Sequence, residues 1–235
     1  MLDLLRIRWS QGTPTLSFPP GDDDFPERFR GRPIRADATG HAVLDLGTSL
    51  FAPEEAVGGV SFTHDYRLSS RTRDGLTSAT GAIDPPAALD EHMRKLLGRS
   101  LRLRSVVAGS CNGCEAELVA ASNVVFDLAR FGVQFVASPR HADGIVITGA
   151  VNANMRDALE RTYAAVPDPR IVIAVGACAA SGGPFRSAEA GTGVPPTIPV
   201  DLWIAGCPPH PLTILDGLLR LLGRLGAERL SRAAP

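Results

Sequence analysis

Residues 104–109 read RSVVAG and lead directly into the turn SCNGC, which carries Cys111 and Cys114. Three further apolar runs also end at a glycine: 144–149 (GIVITG), 171–176 (IVIAVG) and 201–206 (DLWIAG). Runs of Val, Ile and Ala without polar alternation are typical of strands that are covered on both faces. These runs therefore predict an α/β fold with a doubly wound parallel sheet.

The segments between these runs predict the helices that cover the sheet. Apolar residues recur at helical spacing over 115–130, and further helices are expected at 154–165 and after Pro211. One more strand is predicted at 133–137, and a short helix at 87–97 leads into the sheet.

The first hundred residues have a different character, because they contain no cysteine and are rich in Pro, Gly, Asp and Arg. Only the short runs 41–46 and 60–63 resemble strands. Such a segment has little apolar surface to bury by itself. We therefore predict two parts: an irregular extension at 1–98 that lies as an arm on a partner, and a folded domain at 99–235.

The composition excludes several classes of protein. Of the 235 residues, 44% are hydrophobic, which is enough for a folded core. The formal net charge is -1, with 24 basic and 25 acidic residues, so we expect no nucleic-acid partner. No apolar stretch has the length of a membrane span, and the opening MLDLLRIRWSQG does not read as a secretory signal. The sequence therefore predicts a cytoplasmic protein whose thiols stay reduced.

All four cysteines of the chain follow predicted strands. Cys111 and Cys114 come after the first run, Cys178 after the third and Cys207 after the fourth. Because the carboxyl ends of parallel strands meet at one edge of a sheet, the four thiols are expected to converge there. Four thiolates are the ligand set of a 4Fe–4S cluster, and Gly113 lets the turn between the first two curl tightly. The sequence therefore predicts one 4Fe–4S cluster on these cysteines.

Other chemistry uses the same residue types. Cys111 and Cys114 alone would suit a thioredoxin-like redox pair, which needs no cysteine at 178 or 207. Four cysteines also form structural zinc sites, although these more often carry two Cys-x-x-Cys knuckles. Inert buried cysteines would not be expected to fall so regularly at strand ends. The cluster is therefore the preferred interpretation, with the zinc site and the redox pair as alternatives.

With these residues in place, segment 100–222 resembles a known family. It is similar to the small, cluster-carrying subunit shared by group 4 nickel–iron hydrogenases, formate hydrogenlyases and respiratory complex I. The matching stretches are SCNGCEAEL, FDLARFGVQFVASPRHADGIVITGAV, PDPRIVIAVGACAASGG and IPVDLWIAGCPPHP. The resemblance implies a flavodoxin-like fold. It also implies one 4Fe–4S cluster at the interface with a large subunit, held by Cys111, Cys114, Cys178 and Cys207.

Two further stretches refine the resemblance. Complex I members have two adjacent cysteines at the first position, so Cys111-x-x-Cys114 followed by Glu115 resembles the hydrogenase and formate-hydrogenlyase members. Residues 1–33 resemble the opening of the two-cluster ferredoxin subunit of the same complexes, which begins with a short helix and an FRGKP-like arm. No cysteine precedes Cys111, so those two clusters cannot form here. Residues 1 to about 95 are therefore interpreted as a fused ferredoxin remnant that keeps a docking arm, and a ferredoxin-like lobe is expected.

The resemblance also implies a function. It implies an electron-transfer subunit of an oxidoreductase, without a catalytic site of its own, in a membrane-associated hydrogenase or formate-hydrogenlyase complex. The expected partners are a large subunit, a ferredoxin-like subunit and membrane-arm subunits, and the chain would lie on the cytoplasmic face of the membrane. The alternatives are a complex I-like subunit that passes electrons to quinone, and a zinc-binding adaptor.

Three other side chains are candidates for tuning this chemistry. Glu115 follows the second cysteine and would belong to a proton route at the partner interface, or would simply be an acid at a helix N-terminus. Arg140 and His141 lie in the loop after the predicted strand at 133–137, and we expect them near the cysteine edge. There an arginine would stabilise a reduced cluster and a histidine would couple proton uptake to reduction. The alternative for both is a surface loop position.

Overall fold

The structure is a computed structural model, which describes residues 2–21, 25, 28–35, 44–45, 60–78, 83–97 and 100–225. The strands of this described part are β1 (Pro33–Arg35), β2 (Leu44–Asp45), β3 (Val60–Phe62), β4 (Ser69–Ser70), β5 (Thr77–Ser78), β6 (Leu101–Val107), β7 (Val133–Phe135), β8 (Gly144–Thr148), β9 (Ile171–Val175) and β10 (Leu202–Ile204). The helices are α1 (Leu2–Gln11), α2 (Glu91–Leu97), α3 (Gly113–Ala121), α4 (Ala153–Ala165), α5 (Ala177–Ser181) and α6 (Pro211–Leu221).

A six-stranded sheet organises the chain, with the strand order β4-β10-β9-β8-β6-β7. The five strands β6 to β10 are parallel, and β4 pairs antiparallel with β10 at the edge. Counted in chain order, the five parallel strands are arranged 2-1-3-4-5, which is the order of flavodoxin-like sheets. The predicted flavodoxin-like, doubly wound α/β fold is therefore confirmed.

Each face of the sheet carries its own apolar core, which explains why β8 and β9 lack polar alternation. In β9, Val172 and Ala174 pack into the core with Leu159 of α4. Ile171, Ile173 and Val175 face the other way, into a core that contains the leucines of α6 and Leu118 of α3. All five residues of β9 are buried, as expected for a strand that is covered on both sides.

Side-chain hydrogen bonds set the helix boundaries at two places where the sequence prediction was too long. The helix predicted at 115–130 ends at Ala121, because the Asn123 side chain accepts hydrogen bonds from the backbone N–H groups of Val125 and Phe126. This local turn competes with further helix. The helix predicted at 87–97 begins only at Glu91, where the Asp90 carboxylate caps it by accepting from Met93 N at 2.9 Å.

Beyond the exposed helix α1, several described parts of the amino-terminal segment pack against the sheet. Strand β4 extends the sheet, and Leu68, Leu76 and Ile83 are buried in one of its cores. Two small antiparallel pairs, β1 with β3 and β2 with β5, lie outside the main sheet. Within the predicted run 41–46 only Leu44–Asp45 is described, and residues 36–43, 46–59 and 79–82 of the expected ferredoxin-like lobe lie outside the described residues. The division at 98/99, the docking arm and the remnant hypothesis therefore stay predictions.

Among the helices that the structure describes, none combines the length and the apolar character that crossing a bilayer requires.

Candidate metal centre

The four cysteines lie at the carboxyl ends of three parallel strands of the sheet. Cys111 lies in the turn after β6 and Cys114 in the first turn of α3, Cys178 lies in the first turn of α5 after β9, and Cys207 follows β10. All four are free thiols, and the segments that carry them meet at this edge. The Cβ position of Gly176 lies 2.5 Å from the Cys114 Sγ and 3.6 Å from the Gly206 carbonyl oxygen, and Ala177 N donates to that carbonyl at 2.8 Å. The structure thus brings together four sulfurs that are widely separated in sequence.

The thiols differ in their exposure and in their ionisation. Cys114 and Cys178 are only 8% and 7% exposed, whereas Cys111 and Cys207 are exposed. Burial raises the pKa of the Cys114 thiol far above its ordinary value, and Glu115 and the other thiolates add to this. Burial and the neighbouring thiolates also raise the pKa of Cys178 to about 11. Without a metal the buried pair is protonated at neutral pH, so binding of a metal must displace protons.

Glycines leave the space that the buried sulfurs need. A Cβ placed on Gly176 would lie 2.5 Å from the Cys114 Sγ, and one on Gly183 would lie 2.7 Å from the Cys178 Sγ. Both glycines have positive φ angles, of +95° and +57°, a region that other residues rarely adopt. Larger side chains at these positions would fill the volume around the thiols.

These observations test whether the residues suit an iron–sulfur group. Within the described ranges, no set of three or more His, Cys, Asp or Glu side chains is gathered closely enough to hold a single metal ion. A 4Fe–4S cluster is held differently, by one thiolate on each iron. Four free thiols from three loops, two of them in glycine-lined cradles, fit such a group.

The loop of Cys207 is fixed by the start of α6. The Cys207–Pro208 peptide bond is cis. His210 caps α6 by accepting from Leu212 N at 3.3 Å, and its ring packs edge-on against Phe29 and Phe126. Burial lowers the pKa of His210 below its usual value. A cavity of about 360 Å³ beside Cys207 is lined by His210, by Glu117 and by residues 28–30 of the amino-terminal segment.

Glu115 lies between the cysteine turn and the end of β8. Its Oε2 accepts a 2.7 Å hydrogen bond from the Ser110 hydroxyl, and its Oε1 accepts a short one from the Thr148 hydroxyl. The half-buried Glu115 carboxylate is thus held in place by two hydroxyl groups. Sequence reasoning missed both partners, although Thr148 could have been found as the one polar side chain in the buried run GIVIT.

Arg140 and His141 do not lie with the cysteines, so their expected position was wrong. They form a 3-10 turn that directly precedes β8, and β7 pairs only with the first residues of β6, from Leu101 to Leu103. The loop therefore returns at the amino-terminal edge of the sheet, opposite the thiols. There both residues line a cavity of about 460 Å³ together with Arg102 and Pro169.

Comparison with known proteins shows which family the chain resembles. A family described as "NADH ubiquinone oxidoreductase, 20 Kd subunit" matches residues 111–221. The probable membrane-bound hydrogenase subunit mbhJ of Pyrococcus furiosus is 43% identical over 132 residues, which cover 56% of this chain and 79% of the relative. Formate hydrogenlyase subunit 7 of Escherichia coli is 39% identical over 67% of this chain and 62% of its own length. An NADH-quinone oxidoreductase subunit of Geotalea uraniireducens is 44% identical over 50% of this chain and 69% of its own length.

Among solved structures, a chain of the membrane-bound sulfane sulfur reductase, an archaeal respiratory membrane complex, matches with a TM-score of 0.50. It is 32% identical, and the match covers 57% of this chain and 75% of that one. The chain covers more than two thirds of two relatives that are more than 30% identical to it, and the segment that the family matches contains all four cysteines. The chain belongs to the family of the 20 kDa subunit of NADH-ubiquinone oxidoreductase.

Proposed function

We propose that this chain is the electron-transfer subunit of a membrane-associated hydrogenase or formate-hydrogenlyase-like complex, with one 4Fe–4S cluster held by Cys111, Cys114, Cys178 and Cys207. The observation that carries this proposal is the meeting of four free thiols at one sheet edge, with Gly176 and Gly183 making room for two of them. When bound, such a cluster accepts and releases one electron at a time.

The buried and the exposed cysteines would have different roles around the cluster. Buried Cys114 and Cys178 would hold it away from water, and the exposed Cys111 and Cys207 would face a large subunit that contains the active site. Glu115 directly after Cys114 supports the hydrogenase-type branch of the family. The complex I-like alternative, in which the large subunit passes the electrons to quinone, is supported by the relatives that are named as subunits of NADH-quinone oxidoreductase.

Helix α1 supports attachment to further subunits. Its large apolar side chains are exposed, with Leu4 at 71% and Trp9 at 92%. Exposed apolar surface of this kind is typical of interaction sites. We assign α1 to a contact with a ferredoxin-like or membrane-arm subunit, which would hold the chain peripherally on the cytoplasmic face of the membrane.

The first experiment is anaerobic purification with the large subunit, followed by measurement of iron, acid-labile sulfide, zinc and the low-temperature EPR spectrum of the reduced sample. The proposal expects about four irons and four sulfides per chain. The reduced-cluster signal should be lost in Cys178→Ser and Cys207→Ser and retained in Ser122→Ala, which removes a hydroxyl at the far end of α3. Zinc without iron, in a sample never exposed to oxygen, would instead identify the zinc-binding adaptor. Hydrogen and quinone assays of the intact complex separate the two redox alternatives.

A further inference from the structure

We propose that Glu115 is a positioning residue, which fixes the cysteine turn of residues 110–114 onto the end of β8 through both of its carboxylate oxygens. This inference rests on the proposed function, since the geometry that it sets is that of the cluster on Cys111 and Cys114. It replaces the expectation that Glu115 carries protons at a partner interface.

The first half of the connection lies within the turn. The Ser110 hydroxyl donates to Glu115 Oε2 at 2.7 Å and accepts from the backbone N–H of Asn112 at 3.1 Å. Asn112, between the two cysteines, has a left-handed backbone with φ of 70°. Asn is one of the few residues other than glycine that adopt this conformation readily, and the hydrogen bond from its N–H to Ser110 adds to the stability of the turn. Ser110 and Glu115 therefore brace the backbone on both sides of Cys111.

The second half reaches across to the neighbouring strand. Thr148, the last residue of β8, is completely buried, and its hydroxyl donates to Glu115 Oε1. The same residue is held to the end of β6 through its carbonyl, which accepts from Ala108 N at 2.8 Å. Beyond it, Gly149 approaches so closely that a Cβ there would lie 2.6 Å from the Gly109 carbonyl carbon. The carboxylate thus ties α3, the turn and β8 into one unit.

This unit sits where the strand order of the sheet reverses. The chain leaves β6 for β7 on one side and then returns to β8 on the other. In open α/β sheets the crevice at such a switch point is where ligands are held. The two hydrogen bonds of Glu115 connect the two sides of this crevice and keep them at a fixed separation. The positions of Cys111 and Cys114 depend on that separation.

The test compares two substitutions of Glu115 in the intact complex. Glu115→Gln can still accept one hydroxyl proton and can donate its amide N–H to the other hydroxyl oxygen. Glu115→Ala can do neither, and Thr148→Val removes one partner without a change of shape. We expect Gln to keep the wild-type EPR line shape and rate of iron loss to a chelator. Ala and Thr148→Val should change the line shape and lose iron about 10-fold faster, as other residues that orient metal ligands do.

Glu117→Gln is the matched control, because it removes the same charge from the same helix at a residue that also lies near Cys207. A shift in midpoint potential common to Glu115→Gln and Glu117→Gln reports the charge alone. The proposal is overturned if Glu115→Gln behaves like Glu115→Ala, or if Glu115→Ala has the wild-type spectrum and chelation rate. A failure of the proposed function would give a different result from a failure of this proposal, because the wild-type protein itself would then contain no iron.

Discussion

Gly176 is the position where a single added carbon should matter most. Its Cβ would lie 2.5 Å from the Cys114 Sγ, and its φ of +95° is unfavourable for any side chain. We therefore expect Gly176→Ala to displace Cys114 and to reduce bound iron and sulfide about 10-fold or more. The measurement is iron and sulfide per chain in the anaerobically purified complex.

Two glycines provide controls for that substitution. A Cβ on Gly113 would lie 3.6 Å from the Cys111 Sγ, which is ordinary van der Waals contact. The positive φ of the cysteine turn belongs to Asn112 and not to Gly113, so the expectation that the turn needs glycine at 113 was wrong. Gly12 has a positive φ of +69° and no atom within 4 Å of its Cβ position. Gly113→Ala and Gly12→Ala should both keep the cluster. Equal iron in Gly176→Ala and the wild type would show that the space beside Cys114 has no role.

His210 should make stability depend on pH. Because burial lowers its folded-state pKa, the unfolded chain binds a proton first as the pH falls below the ordinary value of 6.5. Stability contributed by neutral His210 is therefore present above that value and is lost on acidification, by at most about 1.4 kcal/mol per pH unit. The comparison is urea unfolding at several pH values between 5 and 7.5 for the wild type and for His210→Asn.

Asn is the appropriate replacement because its side chain can also cap α6 by accepting from Leu212 N, as His210 does. The part of the acid dependence that is due to His210 should disappear in this variant. Identical pH profiles for the two proteins would mean that the ring is not held in its neutral form.

At the scale of helices and strands, the sequence predicted the elements whose position follows from the pattern of apolar residues. The runs that became β8 and β9 are continuously apolar, and both are buried along their whole length. The end of α3 was missed because it depends on a side-chain bond of Asn123, which the apolar pattern does not contain. Arg140 and His141 were misplaced because β7 pairs only with the first residues of β6, and strand register is set by tertiary pairing.

The meeting of the four cysteines at one edge of the sheet was predictable for a related reason. The convergence of the thiols follows from strand direction alone, which the pattern of alternating strands and helices gives. The partners of Glu115 depend on which hydroxyls face each other across β6 and β8, and a single sequence without contacts does not contain that information.

Helix α6 carries a buried ion pair whose disruption should be costly. Asp216 and Arg220 are 1% and 7% exposed, and their charged atoms are 2.9 Å apart. Arg220→Met leaves the Asp216 carboxylate buried with only partial compensation from Arg67, so we expect a loss of about 3–5 kcal/mol in the free energy of unfolding. The double variant Asp216→Leu/Arg220→Met should recover most of that loss, and urea unfolding measures both.

The exposed pair Glu91–Lys95 on α2 is the matched control, with the same i,i+4 spacing and a distance of 2.8 Å. Its disruption by Glu91→Gln should cost only about 0.3–0.5 kcal/mol, because water already solvates both charges. Similar losses at the two pairs would contradict the view that burial, rather than spacing, decides the energy.

At the scale of the whole molecule, the amino-terminal segment has two parts: residues 15–18 pack on the folded domain, whereas α1 does not. Thr15 and Leu16 are tied to the loop after α3, through hydrogen bonds of 2.8 Å to Val124 O and 2.9 Å to Val125 O. Further along, Phe18 packs edge-on against Tyr66 and Phe131. Helix α1 precedes these contacts, and from Asp3 to Gln11 its side chains are exposed.

Removal of residues 2–13 should therefore leave the fold intact and weaken assembly. No buried side chain of the described residues belongs to α1, so the free energy of unfolding should change by less than about 0.5 kcal/mol. A 10-residue helix is marginal in water, so its exposed Leu4, Leu5, Ile7 and Trp9 indicate a surface that covers them in the complex. Co-purification with the other subunits should fall in the truncated chain and in Leu4→Ser/Trp9→Ser, whereas Ser10→Ala should assemble normally. A truncated chain that unfolds more easily would show that α1 serves the fold, and one that assembles as well as the wild type would remove α1 from the interface.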